Sequence, residues 1–228
     1  MKLRIAIDGA CRRNGKPDCT ASGGVFIMGI EDNGDIAGYA VKSAYEYGST
    51  NQRGELSALL KALHVIYQRK CEAQIITDSE YLFNAMTKLW YKNWMWNNWL
   101  TRDGTPVKNR DLWEKIADYA SALVQGGIEV TYYHVKGHCI PFGTVTANDL
   151  LKRDPSGQEL YKCVRQQFDK FAPRKVDILK HATALCVKNN GFALDIDSPI
   201  LKDWVTANVV ADAIATKVVD EADSLRET

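Results

Sequence analysis

Three acidic residues stand where their side chains can act together. Asp8 follows the alternating apolar segment LRIAI and precedes Gly9, and Asp78 ends the short apolar segment AQIIT. Both therefore close predicted strands at their carboxyl ends, the edge at which open α/β sheets bind ligands. Glu55 lies in the first turn of a predicted helix. It lies beside the apolar stripe of that helix, because Leu59 is its neighbour four residues later.

Clustered carboxylates are typical ligands of hard divalent cations. Mg²⁺ prefers oxygen ligands, and two such ions can activate a water and stabilise the leaving oxygen of a phosphodiester. Each acid also has a simpler interpretation: Glu55 as a helix-dipole partner, Asp78 as a helix cap and Asp8 as a turn residue. Uncompensated carboxylates repel one another, so we expect raised pKa values without metal and stabilisation of the fold by metal.

Hydrophobic periodicity predicts the elements that position these acids. Three extended segments come first: LRIAIDGA, SGGVFIMGI and, after the turn residues EDNGD, DIAGYAVKSAY. Helices are predicted in NQRGELSALLKALHVIYQ, DSEYLFNAMTKLW and NRDLWEKIADYASALVQ, and further strands in AQIIT and IEVTYYHV. Strands that alternate with helices after a meander predict an α/β fold, a mixed sheet covered by helices.

Length and composition favour one domain over residues 1–228. The chain is 46% hydrophobic and 25% charged, enough for one good core. No apolar run reaches the roughly 18 residues that a membrane helix needs, so we expect no membrane partner and a cytoplasmic location. A net charge of +1 requires that any nucleic-acid binding come from a local patch. The six cysteines include no Cys-x-x-Cys pair, which predicts reduced thiols.

Five segments follow one another along the chain: IAIDGACRRNG, TNQRGELSALLKAL, IITDSEYL, PVKNRDLW and HVKGH. In this order they resemble the successive motifs of type 1 ribonuclease H. The resemblance implies a ribonuclease H-like five-stranded mixed sheet with flanking helices, and an endonuclease that cleaves the RNA strand of RNA–DNA hybrids. It also implies two Mg²⁺ ions, for which Mn²⁺ substitutes, held by four carboxylates. Asp8, Glu55 and Asp78 match three of the four.

The fourth carboxylate has two candidates. The family places it shortly after the Gly-His of the fifth strand, in the pattern Asn-x-x-x-Asp-x-Leu-Ala. Asp149 has the right spacing, eleven residues after His138, but Val145 stands where the pattern has Asn. Asp212, in TANVVADAIA, has Asn208 four residues before it but lies far beyond the expected place.

We favour Asp212, because loops tolerate insertions at small entropic cost whereas a helix that carries a catalytic residue needs its packing face. This choice predicts a helical insertion at about 140–203, before the last helix, and a closing catalytic helix at about 204–222. Inside the insertion, helical patterns occur in LYKCVRQQFDKF and VDILKHATALCVKNNG. Otherwise Asp212 is a solvent-facing acid on a tail helix and Asp149 an acid at a helix start.

The resemblance implies further site residues. His138 matches a loop histidine that helps move a proton or release product. Contacts to the RNA strand are implied for Asn14, Asn51 and Gln52, and a contact to a DNA phosphate for Asn109. His134 lies about 13 Å along a strand from His138, so the two cannot share one metal ion, and we expect a structural role for it.

The segment LWYKNWMWNNWLTRDGTPVKNRDLW matches the family's substrate-binding protrusion, but Met95, Trp96 and Asn97 stand where relatives have basic residues. We expect its tryptophans to pack in the core, and hybrid binding to be modest with a shallow salt dependence. Two other functions stay open: a non-catalytic hybrid-binding module, and a related two-metal DNA nuclease or resolvase. We expect a monomer with no obligate protein partner.

Overall fold

The computed structural model describes residues 1–138, 151–171 and 199–227. Five strands form one sheet: β1 (Lys2–Arg12), β2 (Thr20–Ile30), β3 (Ile36–Tyr47), β4 (Ala73–Thr77) and β5 (Val130–His134). Their order is β3-β2-β1-β4-β5. The first three strands are antiparallel neighbours, and β4 and β5 run parallel to β1. The predicted five-stranded mixed sheet is confirmed.

Six α-helices flank the sheet in the described ranges: α1 (Asn51–Arg69), α2 (Glu80–Thr87), α3 (Trp90–Trp96), α4 (Arg110–Gln125), α5 (Gln158–Phe171) and α6 (Pro199–Glu227). The first two begin at side-chain caps. Thr50 accepts a hydrogen bond from the Arg53 amide, and Ser79 accepts one from the Leu82 amide. None of the described helices is long and apolar enough to cross a membrane.

Alternation along the strands produces two cores, one on each face of the sheet. Ile5 and Ile7 face the core that α1 and α4 cover, where Trp113 is fully buried. Ala6 and Phe26 face the other core, which α5 and α6 cover. Because helices cover both faces of the sheet, the central strands are apolar along almost their whole length.

Glycines in β2 and α1 allow the helices to lie close to the sheet. A Cβ on Gly54 of α1 would lie 3.0 Å from the Ser22 carbonyl carbon. A Cβ on Gly24 would lie 2.7 Å from the Ala215 amide nitrogen of α6, and closer still to the Ala211 carbonyl oxygen. The Ser22 hydroxyl also donates a 2.6 Å hydrogen bond to the Ala215 carbonyl. The position of α6 is therefore fixed against β2 by direct backbone approach.

The C-terminal turns of α6 also contact the turn between β1 and β2. The Arg12 guanidinium lies 2.6 Å from the Asp220 carboxylate. The Arg13 guanidinium lies 2.6 Å from Asp223, and Arg226 donates a 2.8 Å hydrogen bond to the Asp18 carbonyl. We call these three contacts the turn clamp.

The predicted helices of the C-terminal part of the chain agree only in part with the structure. The segment LYKCVRQQFDKF is helical and forms most of α5, as predicted. The late helix spans Pro199–Glu227 and so extends beyond the expected 204–222 at both ends. The second predicted insertion helix and Asp149 lie outside the described residues.

The reduced-thiol prediction is wrong for one pair, since Cys11 and Cys19 form a disulfide. The pairing of Arg12 with Thr20 places the two cysteines on opposite sides of one turn, with their Cα atoms 6.8 Å apart. Spacing alone did not indicate this, because the pairing depends on the register of β1 and β2. Cys71 and Cys163 are free thiols.

The aromatic segment around α3 packs largely as expected. The rings of Trp94 and Trp113 are 5.2 Å apart in edge contact, and the Trp113 indole donates a 2.9 Å hydrogen bond to the Tyr81 hydroxyl. Trp96 differs, because its side chain is 80% exposed. Arg110, one of the few basic residues nearby, pairs with Glu114.

Candidate active site

Four elements bring four carboxylates together where β4 ends beside β1. Asp78 directly follows β4, but Asp8 lies inside β1, which continues to Arg12, so the prediction that Asp8 closes its strand is wrong. β1 and β4 are parallel, with Ile7 opposite Thr77, so Asp8 and Asp78 follow at neighbouring positions. On the other side of β1, Asp8 pairs with Gly24, the glycine against which α6 packs. That close approach brings Asp212 near Asp8. On the opposite face, a Cβ on Gly9 would lie 2.7 Å from the Glu55 amide.

The four negative charges act on one another. Burial, then the charges of Asp78 and Asp212, and more weakly that of Glu55, raise the pKa of Asp8 well above its usual range. Burial raises the pKa of Glu55 to about 7, against a hydrogen bond from Ser79 that lowers it. These shifts are those expected for a cluster without a bound cation.

The pKa values of the remaining two acids are also raised. Burial is the main cause for Asp78, whose pKa rises to about 6, and the charge of His138 opposes the rise. Burial likewise raises the pKa of Asp212, and the charges of His138 and Lys170 oppose it. His138 therefore lies near enough to both acids to act on each.

Hydrogen bonds orient one oxygen of most of these carboxylates. The Gly9 amide donates to Asp8 Oδ1 at 2.6 Å. The Ser79 hydroxyl donates to Glu55 Oε2 at 2.6 Å, and Asn51 Nδ2 donates to Glu55 Oε1 at 3.0 Å. The Asn208 side chain is close enough to the Asp78 carboxylate to lower the pKa of that acid.

Other oxygens of the cluster are buried without a partner. Asp8 Oδ2 and Asp212 Oδ2 have no hydrogen-bond donor in the described structure. Buried carboxylate oxygens of this kind are costly unless a cation or a donor reaches them. In residues 1–138, 151–171 and 199–227, however, no three His, Cys, Asp or Glu side chains converge into a ready-made metal cage. The donor set fits divalent cations in its chemistry, and the site is an open cluster.

The end of β5 closes over Asp78. A Cβ on Gly137 would overlap the Asp78 carboxylate, with Asp78 Cγ only 2.9 Å away, so a larger residue here would displace that carboxylate. His138 follows with a left-handed φ of 57° and is exposed. His134 is 5% exposed, and its Nε2 lies 3.0 Å from the Asp78 carbonyl oxygen, which agrees with the expected structural role.

The four residues expected to contact substrate are linked in pairs. Asn14 Oδ1 accepts a hydrogen bond from the Asn51 amide at 3.4 Å. Asn109 Nδ2 donates to Gln52 Oε1 at 3.1 Å. Asn51 connects this polar row to Glu55. The structure therefore brings the predicted contact residues to the same side as the carboxylates.

Several residues of the site were missed in the sequence. Ser79 directly follows Asp78 and caps α2, but nothing in the sequence indicates its hydrogen bond to Glu55. Arg53 forms ion pairs with both Glu46 and Asp111 at 2.8 Å and contacts Asn109, which a position three residues into a helix does not indicate.

Comparison with known proteins agrees with this geometry. The RNase H family matches residues 2–153 of the chain. Ribonuclease H from Clostridium botulinum (strain Hall) is 36% identical over 137 residues, which are 60% of this chain and 84% of that protein. Ribonuclease H from Rickettsia felis is 34% identical over 163 residues, which are 71% of this chain and 97% of that protein.

Solved structures show the same fold at lower identity. The crystal structure of LC9-RNase H1, a type 1 RNase H with the type 2 active-site motif, has a TM-score of 0.51 at 24% identity. The matched region is 60% of this chain and 64% of the LC9-RNase H1 chain. The family match ends before Asp212 and includes Asp149. The chain belongs to the ribonuclease H family, hydrolases that act on RNA–DNA hybrids.

Proposed function

We propose that Asp8, Glu55, Asp78 and Asp212 form the metal site with which this ribonuclease H cleaves the RNA strand of its hybrid substrate. The observation that supports this most is the meeting of four carboxylates from β1, α1, β4 and α6, with two buried oxygens left unpartnered. Two divalent cations, normally Mg²⁺ with Mn²⁺ as a substitute, would activate the attacking water and stabilise the leaving oxygen.

The chain's own residues prepare this site. Ser79 and Asn51 hold Glu55 by both of its oxygens, and Asn208 holds Asp78. Partners of this kind fix the orientation of ligating carboxylates before a cation arrives. His138, exposed beside Asp78, can exchange a proton with solvent or assist product release.

We assign substrate recognition to the polar row, which consists of Asn14, Asn51, Gln52 and Asn109. Asn14, Asn51 and Gln52 present amide groups that can contact 2′-hydroxyls, the group by which a protein distinguishes RNA from DNA. Asn109 is oriented by Gln52 and Arg53 and can hold a DNA phosphate. Phosphate contacts fix the position of the duplex, and the hydroxyl contacts select its RNA strand.

The assignment of Asp212 competes with Asp149. The family match includes Asp149 and ends before Asp212, but the side chain of Asp149 lies outside the described residues. Support for Asp212 comes from its charge acting on Asp8 and Asp78 and from Asn208, four residues earlier on α6, holding Asp78. On this assignment residues 1–228 form one catalytic domain, with a helical insertion at about 140–203 and a closing catalytic helix at about 204–222 inside α6.

Hybrid cleavage in Mg²⁺ by the wild type, Asp212→Asn and Asp149→Asn tests the assignment, with circular dichroism to verify folding. We expect only Asp212→Asn to be inactive. Loss of cleavage in Asp149→Asn alone would move the fourth carboxylate to residue 149 and leave α6 outside the active site.

Two outcomes for the wild type would instead support another function. Hybrid binding without cleavage in Mg²⁺ or Mn²⁺ indicates a binding module. Cleavage of duplex or branched DNA indicates a nuclease or resolvase. Light scattering on the same preparation tests the expected monomer.

A further inference from the structure

Helix α5 lies beyond the residues that match the family, yet it packs on the helix that carries Asp212. The family match ends at residue 153, and α5 spans Gln158–Phe171. Val164 is fully buried in the core that α6 covers, and Leu160 and Phe168 pack against the same core. The face of α5 that contacts α6 is therefore fixed by apolar packing.

One polar residue of α5 is buried within this contact. Gln167 is 6% exposed, and its Nε2 donates a 3.2 Å hydrogen bond to Thr216 Oγ1. Thr216 lies one turn after Asp212 on α6, and its hydroxyl is close enough to the Asp212 carboxylate to lower the pKa of that acid. The Thr216 oxygen accepts the Gln167 N–H on a lone pair. Its single hydroxyl proton therefore stays available for donation to the Asp212 carboxylate.

We call the contacts from Gln167 through Thr216 to Asp212 the relay. It leaves two buried oxygens without a partner. Gln167 Oε1 and Asp212 Oδ2 are both buried without a hydrogen-bond partner in the described structure. Burial of an amide group costs free energy unless its polar atoms are hydrogen-bonded. An apolar side chain at position 167 would therefore cost less free energy to bury than Gln167. Lys170, three residues further along α5, adds a positive charge that acts on Asp212. Two residues of α5 thus bear on the same carboxylate.

We propose that Gln167 is a positioning residue of the active site, which holds Asp212 through Thr216 so that the unpartnered Oδ2 remains for a divalent cation. The inference rests on the proposed function, because it requires Asp212 in the metal site. It assigns α5 a role in the reaction: the segment between β5 and α6 adds a supporting contact that the family-matched region does not contain.

A purely structural Gln167 makes a different prediction. If the amide only joins α5 to α6, its removal lowers the melting temperature and leaves metal affinity unchanged. If it positions Asp212, its removal weakens metal binding, since loss of such supporting contacts costs about 10- to 100-fold in metal affinity or activity. Metal titration therefore distinguishes the two roles.

The test compares Gln167→Met, which keeps the length of the side chain, with Gln166→Met, the same change at the exposed neighbour. Melting temperature is measured against Mn²⁺ and Mg²⁺ concentration without hybrid, and kcat and KM are measured with hybrid. We expect Gln167→Met to raise the half-saturating metal concentration about 10-fold and to lower kcat with KM unchanged. Gln166→Met behaves as the wild type.

A second pair keeps the test informative if Gln167→Met does not fold. Thr216→Val removes the hydroxyl of the relay and Thr216→Ser retains it, so only the valine variant should show weaker metal binding. The proposal is overturned if Gln167→Met equals Gln166→Met in metal titration, or if the two Thr216 variants are equal. A wild type that binds metal but does not cleave hybrid refutes the proposed function alone, because the titrations need no substrate.

Discussion

Replacement of Gly24 by alanine should displace α6 and separate Asp212 from Asp8. The new Cβ would lie 2.7 Å from the Ala215 amide nitrogen, whereas ordinary contacts begin at 3.4 Å. The helix must therefore move by at least about 0.7 Å, the difference between these two distances. Backbone atoms cannot rotate away as a side chain can, so the whole helix must shift.

The expected magnitudes follow from this shift. Overpacking of a tight core costs about 1–3 kcal/mol, and each kcal/mol lowers Tm by roughly 2–4 °C in a chain of this size. Misplacement of a catalytic group by about 1 Å costs on the order of 100-fold in rate. We expect Gly24→Ala to lose far more activity than stability, because Asp8 lies directly opposite Gly24 in the sheet.

The assay combines thermal denaturation with hybrid cleavage in Mg²⁺ at a temperature where the variant is fully folded. Gly29→Ala is the matched control on the same strand, since its Cβ would meet nothing closer than the Met1 sulfur at 3.6 Å. If Gly24→Ala melts and cleaves as Gly29→Ala does, the close approach of α6 to β2 does not position Asp212.

Three further changes test other parts of the structure. The pKa of Glu55 is about 7 in the folded protein against 4.5 ordinarily. The folded state thus retains a proton that the unfolded state releases, and in EDTA stability should fall as pH rises through this interval. Glu55→Gln should flatten that fall in melts recorded across pH, and parallel curves would contradict the assignment. Arg53→Met should cost at most about 1 kcal/mol but raise KM for hybrid, because Asn109 loses a contact; a fall in kcat alone would argue against this role. Trp113→Ala should cost about 3–5 kcal/mol in denaturant unfolding, and a cost under about 1 kcal/mol would show that the site collapses around the smaller residue.

The sheet and the placing of Asp8, Glu55 and Asp78 beside it could be predicted because they depend on local patterns. The choice of Asp212 rests instead on its resemblance to the family's motif. Asp8 and Asp78 end apolar segments, and the parallel pairing of β1 and β4 then places them side by side. Glu55 needed only the helical period of α1 to be placed beside the core. Alternation and helical period are properties of short stretches, so they are readable without knowledge of distant contacts.

What could not be predicted depends on contacts between distant parts of the chain. Gln167 and Thr216 are 49 residues apart, and neither lies in a recognisable pattern. The Cys11–Cys19 disulfide requires the register of β1 against β2, which a list of cysteine positions does not contain. The exposure of Trp96 depends on how α3 is oriented against α4, because Trp94 takes the buried position beside Trp113.

The turn clamp has a consequence for how the protein is made. Arg12 and Asp220 are 208 residues apart, so the clamp joins a strand to a helix that is synthesised much later. Contacts at such separation form slowly, because a long loop must close before they contribute. Until α6 docks, Phe26 and its apolar neighbours on that face of the sheet lack their cover. We expect the nascent chain to pass through an aggregation-prone intermediate, and its active site to be completed only at the last step of folding.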